Sequence, residues 1–256
     1  MVGVDIFIKT YHKDFIWLEW CLKSIKKYAT GFENIVIVSD NDGHKLPDSF
    51  LEIIPLKIFY VDLPTATPEY VEHGLGYLWQ QYIKLSWYEY TDADEILILD
   101  SDEMLTVPTS PNDFKTDSKY NWFFRPWDQM GNGKCWREST EKLLGFETKL
   151  SGMCITGFVL QKETSIALKN YLCSENNVDS IWDIFVKENM KTASEFNIFG
   201  CYIEYFDRNE YNKVVLDNQN INKYINSTIK KDWSWGGLSD TQILDREKIL
   251  SEDKIN

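Results

Sequence analysis

Apolar positions in the first hundred residues follow two spacings, short unbroken runs and helical repeats. The runs are Val4–Ile8, Ile35–Asp40, Leu56–Val61 and Glu95–Asp100. Runs of this kind read as strands buried on both faces. Between them, Phe15, Leu18, Cys21, Leu22, Ile25 and Tyr28 recur every three or four residues and predict an amphipathic helix. Gly76–Tyr90 predicts a second, with Leu78, Tyr82 and Leu85 on its apolar side. Strands alternating with helices predict an α/β fold, a mostly parallel sheet flanked by helices.

The second half is less regular. Strands are predicted at Tyr120–Trp127 and Met153–Gln161, with a loop and one short helix over Asp128–Ser151. Helices are predicted over Glu163–Leu172, over Ser180–Met190, and from Ser194 onward with Ser194 as N-cap. The tail after Asn218 is polar and holds an isolated pair, Trp233 and Trp235. No repeat or linker divides the chain. One domain is expected over residues 1–256, with a regular half (1–106), an irregular half (107–217) and a tail (218–256).

Composition narrows this picture. Among 256 residues, 43% hydrophobic and 15% aromatic content excludes a disordered chain. Neither a secretory leader nor an apolar run of roughly 20 residues is visible. The five cysteines are widely spaced without a CxxC, which fits reduced thiols. A cytoplasmic protein without a membrane span is therefore expected. Net charge −13 argues against general DNA coating, which needs Lys and Arg on phosphates. The charge is uneven, however: residues 1–113 carry −11, residues 114–169 carry +3 and residues 170–256 carry −5. His12, His44 and His73 show no paired-ligand spacing, and no GxSxG, Walker A or GxGxxG pattern occurs.

Four clusters carry candidate chemistry. Asp100-Ser101-Asp102 ends an apolar strand, where α/β sheets bind ligands. Two carboxylates there can hold Mg²⁺ or Mn²⁺, or simply form a polar turn. Thr10, Tyr11 and Asp14 follow the first strand and can hold a base and ribose, while Asp14 can also cap the next helix. Tyr77, Gln81, Lys84 and Tyr88 share one helix face, either a solvated stripe or donors for a sugar and a phosphate. Glu195 falls in the first turn of a helix, as a dipole partner or a general base.

Together the four clusters resemble a glycosyltransferase of the GT-A fold. More narrowly, Tyr11–Asp14, Gln80-Gln81-x-x-Lys84, Asp100–Asp102 and Ser194–Gly200 resemble sequence-assigned glycosyltransferases of bacteria and tailed phages, over about residues 4–206. The resemblance implies a GT-A sheet whose first half binds a nucleotide-sugar donor and whose second half faces the acceptor. It implies Mn²⁺ or Mg²⁺ on Asp100 and Asp102, with Thr10, Tyr11, Asp14, Gln81, Lys84 and Asp100 binding the nucleotide-sugar. Glu195 becomes the base in a hexosyl- or pentosyltransferase. Many such enzymes add a C-terminal His to the metal; none follows His73 here, and Asp232 is an acidic substitute.

The richness in Lys, Asn, Ile and Tyr suits a T4-like phage, whose relatives glycosylate hydroxymethylated cytosine in their own DNA. Hydroxymethylated DNA in a host cytoplasm is then one implied acceptor. Arg125, Lys134, Arg137, Trp127 and Trp136 offer cations and stacking faces for it. A cell-surface saccharide is the other acceptor. A non-catalytic nucleotide-sugar- or carbohydrate-binding protein is the alternative from another class.

Overall fold

A computed structural model describes residues 3–64, 75–131, 135–188, 190, 192–221, 228–232 and 237–252. The main sheet has the strand order β3-β2-β1-β4-β9. Its strands are β1 (Val4–Thr10), β2 (Phe32–Asp40), β3 (Lys57–Val61), β4 (Glu95–Asp100) and β9 (Phe158–Gln161). The first four run parallel, as their unbroken apolar runs predict. β9 is antiparallel to β4, an arrangement with no local sequence signal. Ile6–Ile8, Val36–Val38 and Ile96–Leu99 are almost completely buried. One apolar core runs through both halves of the chain.

Helix α1 (Phe15–Tyr28) buries Leu18, Cys21, Leu22, Ile25 and Tyr28, the face read from their spacing. A short α2 (Asp48–Ile53) precedes β3. Helix α3 (Leu75–Leu85) stops five residues before the predicted end, and Trp87–Glu89 continues as a tighter 3₁₀ turn. Tyr88 thus leaves the face it was expected to share with Tyr77, Gln81 and Lys84.

The predicted strand Tyr120–Trp127 is β7 (Lys119–Pro126), in a second sheet with β6 (Lys115–Thr116), β8 (Leu150–Ser151) and β10 (Tyr211–Val215). The short helix between them is α4 (Cys135–Leu144). The strand expected over Met153–Gln161 begins only at Phe158. Gly157 precedes it at φ +92, a backbone state that L side chains disfavour and that breaks an extended run. Then follow α5 (Lys162–Asn176), α6 (Ile181–Lys187) and α7 (Glu195–Tyr205). Ser194 caps α7 as predicted, accepting from Asn197 N–H.

The tail departs most from its polar reading. Residues 229–231 form β11, antiparallel to β5 (Glu103–Leu105), and α8 (Asp240–Ser251) packs on α1. Arg246 of α8 is fully buried, over the Trp17 ring at 4.7 Å. It donates to the Asp102 carbonyl (3.1 Å) and to Asp232 Oδ2 (2.8 Å). No described helix is long and apolar enough to cross a membrane.

Candidate active site

A cavity of about 460 Å³ opens at the carboxyl ends of β1, β2 and β4. In open parallel sheets this edge is where ligands bind. Thr10, Tyr11, Asp14, Gln81, Lys84, Asp100, Asp102, Trp136 and Glu195 all line it, although they come from five separate segments. Among the predicted site residues, Arg125 and Trp127 do not.

Helix α3 supplies one wall. Its row Tyr77, Gln81, Lys84 is no solvated stripe, because Gln81 and Lys84 are buried. Each member is tied to the start of α7 or the segment before it. Tyr77 Oη donates to the Ala193 carbonyl and accepts from Trp136 Nε1 (3.1 Å). Gln81 Oε1 accepts the Glu195 N–H (3.1 Å), and Lys84 Nζ bonds Glu195 Oε1 (2.7 Å). Two of the otherwise unpaired N–H groups at the start of α7, those of Glu195 and Asn197, thus meet side-chain acceptors, Gln81 and Ser194. Farther along α7, Gly200 lies against Gly152. A Cβ there would come within 2.8 Å of the Gly152 Cα, so only glycine lets α7 sit this deep.

Asp100 stands between two lysines. Its Oδ1 bonds Lys84 Nζ (2.5 Å) and its Oδ2 bonds Lys231 Nζ (2.6 Å). Burial pushes the Asp100 carboxyl up, but Lys231 and Lys84 outweigh it and hold the group well below the usual carboxylate range. Burial also penalises charge on Lys84, and Asp100 with Glu195 reverses that and keeps it protonated. Burial raises Glu195, against the pull of Lys84. Glu103, behind Asp100, accepts the Asp100 N–H (2.9 Å) and is pushed up to about 7, first by burial.

The sequence reading missed three charged wall residues: Lys9, Asp40 and Lys231. Lys9 Nζ reaches Asp40 Oδ1 at 2.6 Å and the Thr10 carbonyl at 2.7 Å. A lysine closing an apolar strand and an aspartate closing its neighbour were a readable signal. Lys231 had none, since it arrives on a strand paired 128 residues away from Glu103.

Several expectations are corrected. Asp14 occupies the N-cap position of α1 but makes no side-chain capping hydrogen bond, and it lines the cavity. Trp127 is a core residue with Nε1 donating to Thr148 Oγ1 (2.9 Å), so its face is not offered to a base. Arg125 is held by Asn218 Oδ1, and Arg137 pairs with Glu141 (2.9 Å) on its own helix. Among the described residues, the basic segment therefore places no cation on the cavity. Lys134, His73, Trp233 and Trp235 lie outside the described residues.

The charged lining comprises three lysines (Lys9, Lys84, Lys231) and five carboxylates (Asp14, Asp40, Asp100, Asp102, Glu195), a formal −2. That surplus suits one divalent cation and disfavours a bare diphosphate. Both Asp100 oxygens already serve lysines, and Asp102 lines the cavity two residues farther on. Asp232, the substitute third ligand, spends its carboxylate on Arg246. No family model matches the chain, and no curated protein is significantly similar to it, so a functional reading has to be carried by this cavity.

Proposed function

We propose that the protein is a glycosyltransferase moving a sugar from a nucleotide-sugar to a hydroxyl acceptor. The observation that carries this reading is the convergence of four separately read clusters on one cavity lined by charged side chains at the sheet edge. In it, the Tyr11 ring, 38% exposed, stacks on the base, and Asp14 and Thr10 take ribose or base polar groups. Asp102 would hold Mn²⁺ or Mg²⁺, which when bound offsets the charge of the departing diphosphate.

Lys84 acts differently from a phosphate clamp. Its ammonium is committed to Asp100 and Glu195, so its task is to fix both carboxylates at the cavity wall. Glu195 is the group that takes the acceptor proton. Burial raises it above the ordinary carboxylate value, against the pull of Lys84, which makes it a stronger base. Trp136, beside the cavity and oriented by Tyr77, offers a stacking face for an acceptor sugar ring. Of the described residues expected to take a displaced DNA base, Trp136 alone lines the cavity, which favours a saccharide acceptor.

The test is to incubate the protein with Mn²⁺ and a panel of nucleotide-sugars, alone, with saccharides, and with hydroxymethylated DNA. Release of nucleoside diphosphate that depends on a saccharide is expected. Release only with the DNA would move the acceptor assignment. Tight donor binding without release under any condition would instead support a binding protein. Asp102→Ala is expected to abolish transfer while leaving the fold intact by circular dichroism. Undiminished turnover in that variant, or in excess chelator, would remove the metal assignment.

A further inference from the structure

Beside the cavity, on the loops that leave β1 and β2, three side chains meet that the proposed reaction does not use. His12 Nδ1 lies against Asp42 Oδ2, and His44 Nδ1 against Asp42 Oδ1 at 3.1 Å. The two imidazoles stack, with centroids 4.1 Å apart and planes 19° apart. Their ligating atoms and a carboxylate oxygen all lie within 4.8 Å of one another, and among the described residues they form a cluster with metal-ligand spacing. Local sequence spacing hid it, because His12 is 30 residues from Asp42.

We propose that His12, Asp42 and His44 form a binding site for a borderline divalent cation of the Zn²⁺ type, separate from the cation assigned to Asp102. Two imidazoles and one carboxylate match the ligand preference of Zn²⁺, Co²⁺ or Ni²⁺ rather than that of Mg²⁺. The rings' exposure leaves room for water to complete a tetrahedral shell. The carboxylate already stands between the two rings, with one oxygen against each imidazole. The backbone N–H of His44 also fixes Asp42 Oδ1 at 3.1 Å, so part of the ordering cost of a metal site is already met.

The position gives the site a consequence. His12 lies between Tyr11 and Asp14, and Asp42 follows Asp40 by two residues; Tyr11, Asp14 and Asp40 all line the cavity. A cation on the triad would cross-link the two loops that carry one end of that cavity. This inference stands on the triad alone and survives whatever reaction the cavity performs.

The experiment is calorimetric titration of Zn²⁺ into the full chain, without a polyhistidine tag, which would bind the same ions. One saturable equivalent per chain is expected, together with a Zn²⁺-dependent rise in melting temperature. His12→Ala and His44→Ala should each weaken binding by about tenfold or more. Asp42→Asn, which preserves shape and hydrogen bonding, should weaken it too. Asp102→Ala should leave it unchanged, which separates this site from the cavity. Because His12 and His44 are surface groups, circular dichroism of each variant should match that of the parent. Absence of saturable binding, or binding in the histidine variants as tight as in the parent, would overturn the proposal.

Discussion

Lys9 and Lys84 both bury their ammonium groups at the same sheet edge, with side-chain exposure of 3% and 2%. They are held differently. Lys9 has one carboxylate, Asp40, and burial wins: its pKa falls below the ordinary lysine value, with Lys84 also pushing it down. Lys84 has two, Asp100 and Glu195, and they reverse the burial penalty. A single ion pair does not repay the desolvation of a buried ammonium here, and two do. The comparison separates their roles. Lys84 is a fixed charge around which the wall is built, whereas the charge on Lys9 is held less firmly, burial lowering its pKa against Asp40.

The largest test of this contrast is stability. Lys84→Met leaves Asp100 and Glu195 short of a shared cation and is expected to cost about 3–5 kcal/mol in urea denaturation. Lys9→Met should cost clearly less. Equal losses would break the comparison.

Next comes chemistry on the Lys84 side. Glu195→Gln keeps the Lys84 contact as a hydrogen bond but removes the base, so turnover should fall by about 10²–10⁴-fold; Lys84 is left with Asp100 as its one ion-pair partner on this side, so the melting temperature should fall as well, by less than in Lys84→Met. Turnover within a few-fold of the parent would reduce Glu195 to a structural partner of Lys84.

A subtler test reads stability against pH at Glu103. Its folded pKa of about 7 exceeds its ordinary 4.5, so between these values the folded protein holds a proton that the unfolded chain releases. Stability from this group is therefore full below about 4.5 and is lost as pH rises through 7. Glu103→Gln should raise the melting temperature at pH 8 by roughly 2–4 °C and not at pH 5.

The finest test is spectroscopic. Titration of ¹³Cε-labelled lysines should show Lys9 losing its proton below the ordinary 10.5 and Lys84 above it. By linkage, Lys84 adds stability at pH values below 10.5 that disappears above it, and Lys9 gives the opposite slope. Lys84→Met should lift the Lys9 value, because Lys84 is one of the charges depressing it.

The sequence was most legible where structure is local. The apolar runs of β1 to β4 and the 3.6-residue period of α1 settle the parallel sheet. That sheet in turn brings Thr10, Asp100 and their neighbours to one edge. Ser194 was readable as a cap because capping is decided within four residues. What escaped was decided by partners distant in sequence. β9 completes the sheet antiparallel against the edge of β4, and the buried Trp127 finds a partner for its N–H in Thr148, 21 residues on. The tail read as polar because Lys231 and Arg246 are charged. Their burial rests on Asp100, Glu103 and Asp232, and no local window contains those partners.

The pairing of β11 with β5 also bears on the order in which the molecule is made. Asp100 and its second lysine are 131 residues apart. A nascent chain can complete the parallel sheet and present Asp100 to Lys84 long before Lys231 has been synthesised. Contacts of such separation are among the slowest to form. The cavity wall is thus finished last, and until then Asp100 has only one of its two counter-ions. A chain cut after residue 228 should keep its sheet but bind a cation at Asp100 in place of the missing lysine.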